Sequence, residues 1–196
     1  MNKVATPHGP ARYERHDAGA ARALLVLGHG AGGGIGAPDL VAARDAALAL
    51  DVSVALVEQP YRVAGRKSPA PAAQLDVAWL AVLEALGTPD PPAALFAGGR
   101  SSGARVACRT AAAAGAAGVL CLAFPLHPPG RPEKTRLAEL EDVEAPVLIV
   151  QGERDPFGRP PAGPRREVVV VPGTHSLRSG GRIAAAVTEW LTARLA

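Results

Sequence analysis

Short apolar runs that alternate with helix-like segments constrain the fold of this 196-residue chain more than any other feature. The runs lie at 23–27, 52–57, 93–96, 118–123, 147–150 and 167–171. An apolar run without polar alternation is typical of a strand buried on both faces, as in a parallel sheet. Helical patterns occupy 38–50, 72–86, 104–114 and 181–195. Together they predict an α/β fold with a mostly parallel sheet and helices on both faces. The polar segment before Ala20 predicts an edge hairpin.

The length and composition predict a single domain spanning residues 1–196. Hydrophobic residues make up 48% of the chain but aromatic residues only 4%, so the core must consist mainly of Ala, Val and Leu. The charged fraction of 20% argues against disorder. The Pro-rich stretch at 157–164 is short, and we interpret it as a loop within the domain.

The charge distribution and the apolar runs predict neither a nucleic-acid nor a membrane partner. The net charge is +3, and its Lys and Arg residues are scattered, so no nucleic-acid partner is expected. The first ten residues lack an apolar leader segment, and no apolar run reaches membrane-spanning length. We therefore expect a cytoplasmic protein without a membrane partner. Cys108 and Cys121 stand among apolar residues and are expected to be buried free thiols.

The pattern Gly99-x-Ser101-x-Gly103 lies between an apolar run and a helical segment. A serine on a tight strand-to-helix turn needs neighbours without bulky Cβ groups, because the two backbones approach closely there. At the start of a helix its hydroxyl would meet a dipole that favours negative charge. The pattern therefore indicates a nucleophile elbow with Ser101 as the nucleophile. A phosphate-binding loop is excluded, because Ala104 and Arg105 occupy the positions that require Lys and a hydroxyl residue.

The glycine-rich segment Gly28–Gly34 permits two interpretations. Its Gly28-x-Gly30-x-x-Gly33 pattern matches a dinucleotide-binding fingerprint, with Glu58 ending the next strand as the acidic ribose ligand. Alternatively, the small residues allow a backbone N–H to approach a substrate carbonyl oxygen, as in an oxyanion loop. In that case His29 stabilises the loop.

An acid and a histidine follow the last two apolar runs in the order required by a Ser-His-Asp triad. Asp155 follows the run at 147–150, and His175 follows the run at 167–171. His175 would accept the proton of the nucleophile, and Asp155 would orient the imidazole. Glu153 and Asp142 are alternative acids, and a turn-capping role is the alternative for Asp155.

Other charged side chains also follow predicted strands. Arg62 and Arg66 lie in a loop on the same edge of the sheet as the elbow, where guanidinium groups could bind an acidic part of a substrate. A solvated basic loop is the alternative. His127 also lies beyond a strand end, where it could line the pocket or support the Pro-rich turn next to it.

Six sequence motifs between Leu24 and Trp190 carry a family resemblance. The chain resembles the α/β-hydrolases, most specifically their small KANL/Tex-type branch, which is close to the dienelactone hydrolases. The motifs are GHGAG at 28–32, EQPYRVAGR at 58–66, GGRSSG at 98–103, FPLHPPG at 124–130, QGERDPFG at 151–158 and GTHS at 173–176.

This resemblance implies a catalytic triad of Ser101, Asp155 and His175. It implies an oxyanion hole formed by the backbone N–H groups of Ala31 and Ser102, and no metal or organic cofactor. The segment between the runs at 118–123 and 147–150 is short, so a minimal lid or none is expected, together with an open, shallow site.

Triad and resemblance together predict a serine hydrolase that cleaves a small ester or thioester through an acyl-enzyme on Ser101. The expected partner is the small-molecule substrate, and the expected assembly is a monomer or homodimer. The alternative function is a hydrolase fold with little turnover that serves as a scaffold or binding module.

Overall fold

The computed structural model describes residues 1–87 and 93–196, and these residues form one eight-stranded sheet. In chain order the strands are β1 (Asn2–Val4), β2 (Ala11–His16), β3 (Ala23–Gly28), β4 (Val52–Glu58), β5 (Ala94–Arg100), β6 (Gly118–Leu122), β7 (Val147–Gly152) and β8 (Arg166–Val171). Their order across the sheet is β1-β2-β4-β3-β5-β6-β7-β8. The β1–β2 hairpin joins the edge of β4 in antiparallel pairing, and all other pairs are parallel. The predicted edge hairpin and mostly parallel sheet are confirmed.

Helices cover both faces of the sheet, as predicted. They are α1 (Pro38–Leu48), α2 (Pro60–Val63), α3 (Ala72–Leu86), α4 (Ser102–Thr110), α5 (Ala138–Glu141) and α6 (Gly180–Leu195). One apolar layer packs α3 and α4 against the sheet and includes Trp79 and Val106. The other packs α1 and α6 against the opposite face and includes Leu40 and Trp190. Strands β3, β6 and β7 are buried along their whole length, which explains their continuous apolar sequences.

A single large aromatic residue fills much of the space between α6 and the sheet. Trp190 is 2% exposed and meets Phe96 edge to face, with ring centroids 5.5 Å apart. Gly118 on β6 leaves room for it, because a Cβ atom there would lie 2.9 Å from the indole ring. A few large rings placed against small residues thus fill a core that contains few aromatic residues.

The predicted and observed elements differ at several boundaries. The helix expected over 104–114 ends at Thr110, and the chain continues in turns to Gly115. The segment 60–63, expected as part of a loop, forms the short helix α2, because Pro60 at its first position has a backbone angle already suited to a helix.

The connection between β6 and β7 contains only the four-residue α5, so the expectation of a minimal or absent lid is confirmed. Cys108 and Cys121 are buried and free, as predicted. In the described parts of the chain, every helix is too short or too polar to cross a bilayer.

Candidate active site

Ser101 lies on the turn between β5 and α4 with a strained backbone. Its φ is 52° and its ψ is −108°, in a region that residues with a side chain rarely adopt. The Ser101 N–H donates to the carbonyl of Leu122 at 2.9 Å, which fixes the turn to β6. The strain is therefore held by the sheet, and the hydroxyl stands at the N-terminus of α4, as the elbow pattern predicts.

The glycines of the motif are required by a close backbone contact with the end of β3. A Cβ atom on Gly103 would lie 2.6 Å from the carbonyl carbon of Gly28. A Cβ atom on Gly99 would lie 2.9 Å from the Gly28 nitrogen. No side chain fits at either position without moving backbone, so the glycines bring the Gly28–Gly34 loop next to the elbow.

The structure brings Ser101, His175 and Asp155 together in one chain of hydrogen bonds. His175 Nδ1 donates to Asp155 Oδ2 at 2.8 Å, because a carboxylate can only accept. His175 Nε2 is consequently the acceptor for the Ser101 hydroxyl, 2.9 Å away. The side chain of Asp155 is 1% exposed and that of His175 is 17% exposed. Across residues 1–87 and 93–196, neither Glu153 nor Asp142 makes a hydrogen bond to His175.

Gln151 anchors the loop that carries the acid, a role that the sequence analysis missed. Its side chain is completely buried, and its Nε2 group donates to Asp155 Oδ2 and to the Gly158 carbonyl, both at 2.8 Å. The Phe157 N–H donates to Asp155 Oδ1 at 2.9 Å, and the Phe157 ring lies 4.2 Å from the imidazole of His175. The available signal was a polar residue at the end of an otherwise apolar strand.

His29 fixes the glycine-rich loop to the end of β4. It is 2% exposed, and its Nε2 accepts the Gln59 N–H at 3.1 Å, so its Nδ1–H donates to the Gly30 carbonyl at 2.7 Å. Burial lowers the pKa of His29, which keeps the imidazole neutral. On the other side of the loop, the Tyr61 hydroxyl donates to the Ala31 carbonyl at 2.8 Å, and burial raises the pKa of Tyr61 to about 12.

Two backbone N–H groups remain available beside the nucleophile. Ser102 is the first residue of α4, so its N–H has no acceptor within the helix. The Ala31 N–H donates to no other backbone group in the described ranges. The loop passes close to the elbow, since a Cβ atom on Gly30 would lie 3.5 Å from the Ser101 Cβ. This arrangement can stabilise negative charge on an oxygen near Ser101.

The sequence of residues 21–168 matches the family model described as "Alpha/beta hydrolase domain". This match covers more than half of the chain and includes Ser101 and Asp155. The chain belongs to the α/β-hydrolase family. The expectation of a hydrolase, made from the elbow and the resemblance, is confirmed by this membership. No curated protein matches the sequence.

Solved structures of α/β hydrolases share the fold along nearly the whole chain. A lidless serine hydrolase from Xanthomonas campestris has a TM-score of 0.76 at 21% identity, over 96% of this chain and 93% of that one. Est1E from Butyrivibrio proteoclasticus, solved with ferulic acid bound, has a TM-score of 0.79 at 16% identity, over 99% of both chains. A dienelactone hydrolase from Anabaena variabilis has a TM-score of 0.74 at 16% identity, over 98% of this chain and 95% of that one.

In this α/β hydrolase the acidic residue that a dinucleotide-binding site would need is already engaged in an ion pair. Glu58 Oε2 lies 2.6 Å from Arg12 Nη2 on the neighbouring strand β2, so its carboxylate is already paired. The Gly28–Gly34 loop begins in close contact with the elbow, where Gly28 packs against Gly99 and Gly103. An oxyanion role for these glycines stays a prediction.

Within the described residues, neither Arg62 nor Arg66 makes a hydrogen bond to Ser101 or His175. Arg66 lines a cavity of about 240 Å³ together with His8, and the described lining of that cavity contains neither Ser101 nor His175. Arg62 Nη1 lies 3.4 Å from the Arg66 carbonyl. A role for either arginine in substrate binding stays a prediction.

His127 contacts the loop that carries the acid. Its backbone N–H donates to the Phe157 carbonyl at 3.0 Å, and its ring atom Nδ1 lies 2.9 Å from the Pro128 carbonyl. A Cβ atom on Gly158 would overlap the His127 ring. These contacts support a structural role at the Pro-rich turn, one of the two roles that the sequence allowed, and contact with substrate stays a prediction.

An open cleft of about 640 Å³ is lined by residues adjacent in sequence to Ser101 and His175, although its described lining contains neither of these two. Its lining comes from the glycine-rich loop, the start of α1, the residue before Ser101 and the residues after His175: Gly32, Gly33, Ala37, Pro38, Asp39, Arg100, Ser176, Leu177 and Arg178. Sequence analysis had not selected Asp39 or Arg100. The signal for Arg100 was a charged residue that directly precedes the candidate nucleophile.

Proposed function

We propose that this α/β hydrolase cleaves a small ester or thioester through an acyl-enzyme on Ser101. The observation that carries the proposal is the unbroken hydrogen-bond chain from Ser101 Oγ through His175 to Asp155, with links of 2.9 Å and 2.8 Å. A nucleophile, a base and an orienting acid in this order are what acyl transfer requires.

In the first half-reaction, Ser101 Oγ attacks the substrate carbonyl carbon while its proton passes to His175 Nε2. The carbonyl π electrons move to the oxygen, where the N–H groups of Ala31 and Ser102 donate to the negative charge. Asp155 accepts from Nδ1 and stabilises the imidazolium. The C–O or C–S bond then breaks, and the leaving group takes the proton from His175 as an alcohol or thiol.

In the second half-reaction, water replaces the leaving group. The water oxygen attacks the acyl carbon while His175 Nε2 takes a proton from the water. The N–H groups of Ala31 and Ser102 again bind the oxyanion. The Ser101–acyl bond then breaks, Oγ recovers the proton from His175, and a carboxylic acid leaves. The buried carboxylate of Asp155 keeps Nδ1 protonated throughout, so Nε2 is the atom that accepts and returns the proton.

The shape of the site supports small substrates. The connection between β6 and β7 contains only the four-residue helix α5, and the neighbouring cleft of about 640 Å³ is open to solvent. A long acyl chain would find little apolar cover in such a site. Est1E, which shares this fold, was solved with ferulic acid, a small aromatic acid, bound.

The test is the intact mass of the protein after exposure to a fluorophosphonate, which reacts with activated serines. The wild-type protein should gain one adduct, and Ser101→Ala should gain none. Ser68→Ala is the matched control, because Ser68 is an exposed loop residue and its loss should leave the adduct in place. Circular dichroism of each variant verifies the fold.

A folded wild-type protein without an adduct would contradict the proposal and favour the scaffold function, so the search would turn to partners. An adduct that persists in Ser101→Ala would place the nucleophile elsewhere. Where the labelling follows Ser101, a screen of short esters, lactones and thioesters then identifies the leaving group and the acyl chain.

A further inference from the structure

The guanidinium group of Arg100 contacts three segments of the active site at once. Its Nε atom lies 2.8 Å from Asp39 Oδ2 at the start of α1. Its Nη2 group donates to the backbone carbonyl of His175 at 2.9 Å. Its Nη1 atom lies over Gly30, where a Cβ atom would come within 2.8 Å of it. One side chain therefore connects the glycine-rich loop, the elbow and the histidine loop.

Asp39 holds this side chain in place from the buried side. Its carboxylate is 1% exposed, and its Oδ1 atom accepts the Leu40 N–H at 2.9 Å in the first turn of α1. Burial raises the pKa of Asp39, and the charge of Arg100 opposes that shift. A buried carboxylate needs a partner, and the planar guanidinium can satisfy it while its other edge remains free for the histidine loop.

The peptide unit of His175 depends on this contact. Within the described residues, the bond from Arg100 is the one hydrogen bond that the protein makes to the His175 backbone. The preceding residues are held separately, by the Arg154 N–H on the Gly173 carbonyl at 2.9 Å. Without Arg100, the backbone of His175 would lose this attachment, and the imidazole would be held only by its own hydrogen bonds to Asp155 and Ser101.

We propose that Arg100, oriented by Asp39, is a positioning residue that holds the His175 loop at the distance at which the imidazole accepts the Ser101 proton. The inference rests on the proposed function, since it assigns a role toward that proton transfer. A shift of about 1 Å in a reacting group can reduce the rate by roughly a hundredfold, so a positioning role has a measurable consequence.

The decisive variant is Arg100→Lys. Lysine keeps a positive charge near Asp39, but one ammonium group cannot occupy the positions of both Nε and Nη2. The matched control is Arg109→Lys on α4, because Arg109 is also paired with a carboxylate, through hydrogen bonds of 2.8 Å and 2.6 Å to Asp76. The two arginine side chains are equally buried, with exposures of 17% and 19%.

In Arg100→Lys we expect kcat for a short ester and the rate of fluorophosphonate labelling to fall by about 10- to 100-fold. KM should change by less than about threefold, because the contact acts on proton transfer and not on substrate binding. Arg109→Lys should keep the wild-type kcat and labelling rate. Asp39→Asn should shift kcat in the same direction as Arg100→Lys, because it releases the guanidinium from its buried anchor.

A rescue experiment separates positioning from general damage. Arg100 lines the open cleft, so Arg100→Ala leaves a space that guanidinium ions at millimolar concentration can enter. We expect guanidinium to restore part of kcat in Arg100→Ala and to have no such effect on the wild-type enzyme. A merely structural loss would show no rescue.

The outcomes distinguish this inference from the proposed function. Wild-type labelling that requires Ser101, together with unchanged kcat in Arg100→Lys, would overturn the positioning role and leave the serine hydrolase intact. An equal loss in Arg109→Lys would also overturn it, because any buried ion pair would then have the same effect. A wild-type protein that is not labelled would overturn both.

Discussion

The carboxyl edge of the sheet and the two helical layers are built on different principles. Four buried polar residues, His29, Asp39, Gln59 and Gln151, lie at this edge. The layers beneath the helices consist of Ala, Val, Leu and a few aromatic residues. Hydrogen bonds fix directions, whereas apolar contacts mainly contribute free energy of folding. The edge therefore supplies the geometry of the site, and the layers supply the stability that holds it.

Backbone strain also marks the carboxyl edge, where two of the three non-glycine residues with positive φ in the described ranges lie. Ser101 at the end of β5 has φ 52°, and Ala123 at the end of β6 has φ 51°, whereas the third, Asp51 with φ 57°, precedes β4 at the opposite edge. The Ala123 N–H donates to the Val150 carbonyl at 2.9 Å, so both strained residues of the carboxyl edge are tied to the next strand. If this contrast is correct, substitutions at the edge should change activity, and substitutions in the layers should change stability.

The largest effect is expected for Asp155→Asn. The amide can no longer hold the imidazole of His175 in the correct tautomer, so kcat should fall by about 10⁴-fold, equivalent to about 5 kcal/mol of activation barrier. The substitution preserves the size of the side chain, and circular dichroism verifies that the variant is folded. Steady-state kinetics measures the loss. Glu153→Gln is the control, because Glu153 is the exposed alternative acid. A comparable loss of kcat in this variant would show that Asp155 is not the acid of the triad.

Trp190→Ala tests the other side of the contrast. Removing this buried ring beneath α6 should lower the free energy of unfolding by about 3–5 kcal/mol, because a cavity remains beside Phe96. The kcat of the molecules that remain folded should stay at the wild-type value. Urea titration gives the stability, and Trp190→Phe provides a milder variant. A large loss of kcat without a loss of stability would contradict the division of roles between the carboxyl edge and the helical layers.

Gly103→Ala should affect both properties, because this glycine lies where the edge meets a layer. Its new methyl group would press on the carbonyl of Gly28, which should cost about 1–3 kcal/mol of stability and displace the glycine-rich loop from the nucleophile. Gly34→Ala is the matched control, since nothing lies within 4 Å of its Cβ position. Unfolding curves and ester hydrolysis should both be unchanged in Gly34→Ala.

The smallest effect is a pH dependence caused by His29. Burial lowers the pKa of its imidazole in the folded protein below the ordinary value of 6.5, so the unfolded chain binds the proton more readily. The free energy of unfolding should be unaffected by this group above pH 6.5. It should decrease as the pH falls from there to the lowered pKa, by about 1.4 kcal/mol per pH unit.

His29→Asn should remove that component of the acid sensitivity. Urea titrations at a series of pH values measure it, and His8→Asn at the exposed N-terminal turn controls for the loss of a histidine. Equal slopes in His29→Asn and wild type would show that the imidazole is not held neutral in the fold.

Much of the fold could be predicted because its signals are local. A strand buried on both faces needs a continuous apolar run, as at 147–150, and a crowded turn needs small residues, as at Gly99 and Gly103. Since parallel strands end at one edge, the sequence order of Ser101, Asp155 and His175 also predicted their proximity. The short helix α2 was missed, because four residues carry too little periodicity to reveal a helix.

The sequence by itself thus determined the class of fold, the elbow and the three side chains proposed for catalysis. Only the tertiary structure decided that Asp155, and not Glu153, bonds to the imidazole, and that Gln151 anchors the acid. It also decided that Arg100 bonds to the His175 carbonyl, 75 residues away in the chain. The physical reason is distance along the chain. Local preferences act over a few residues, whereas these contacts depend on how whole strands and helices pack against each other.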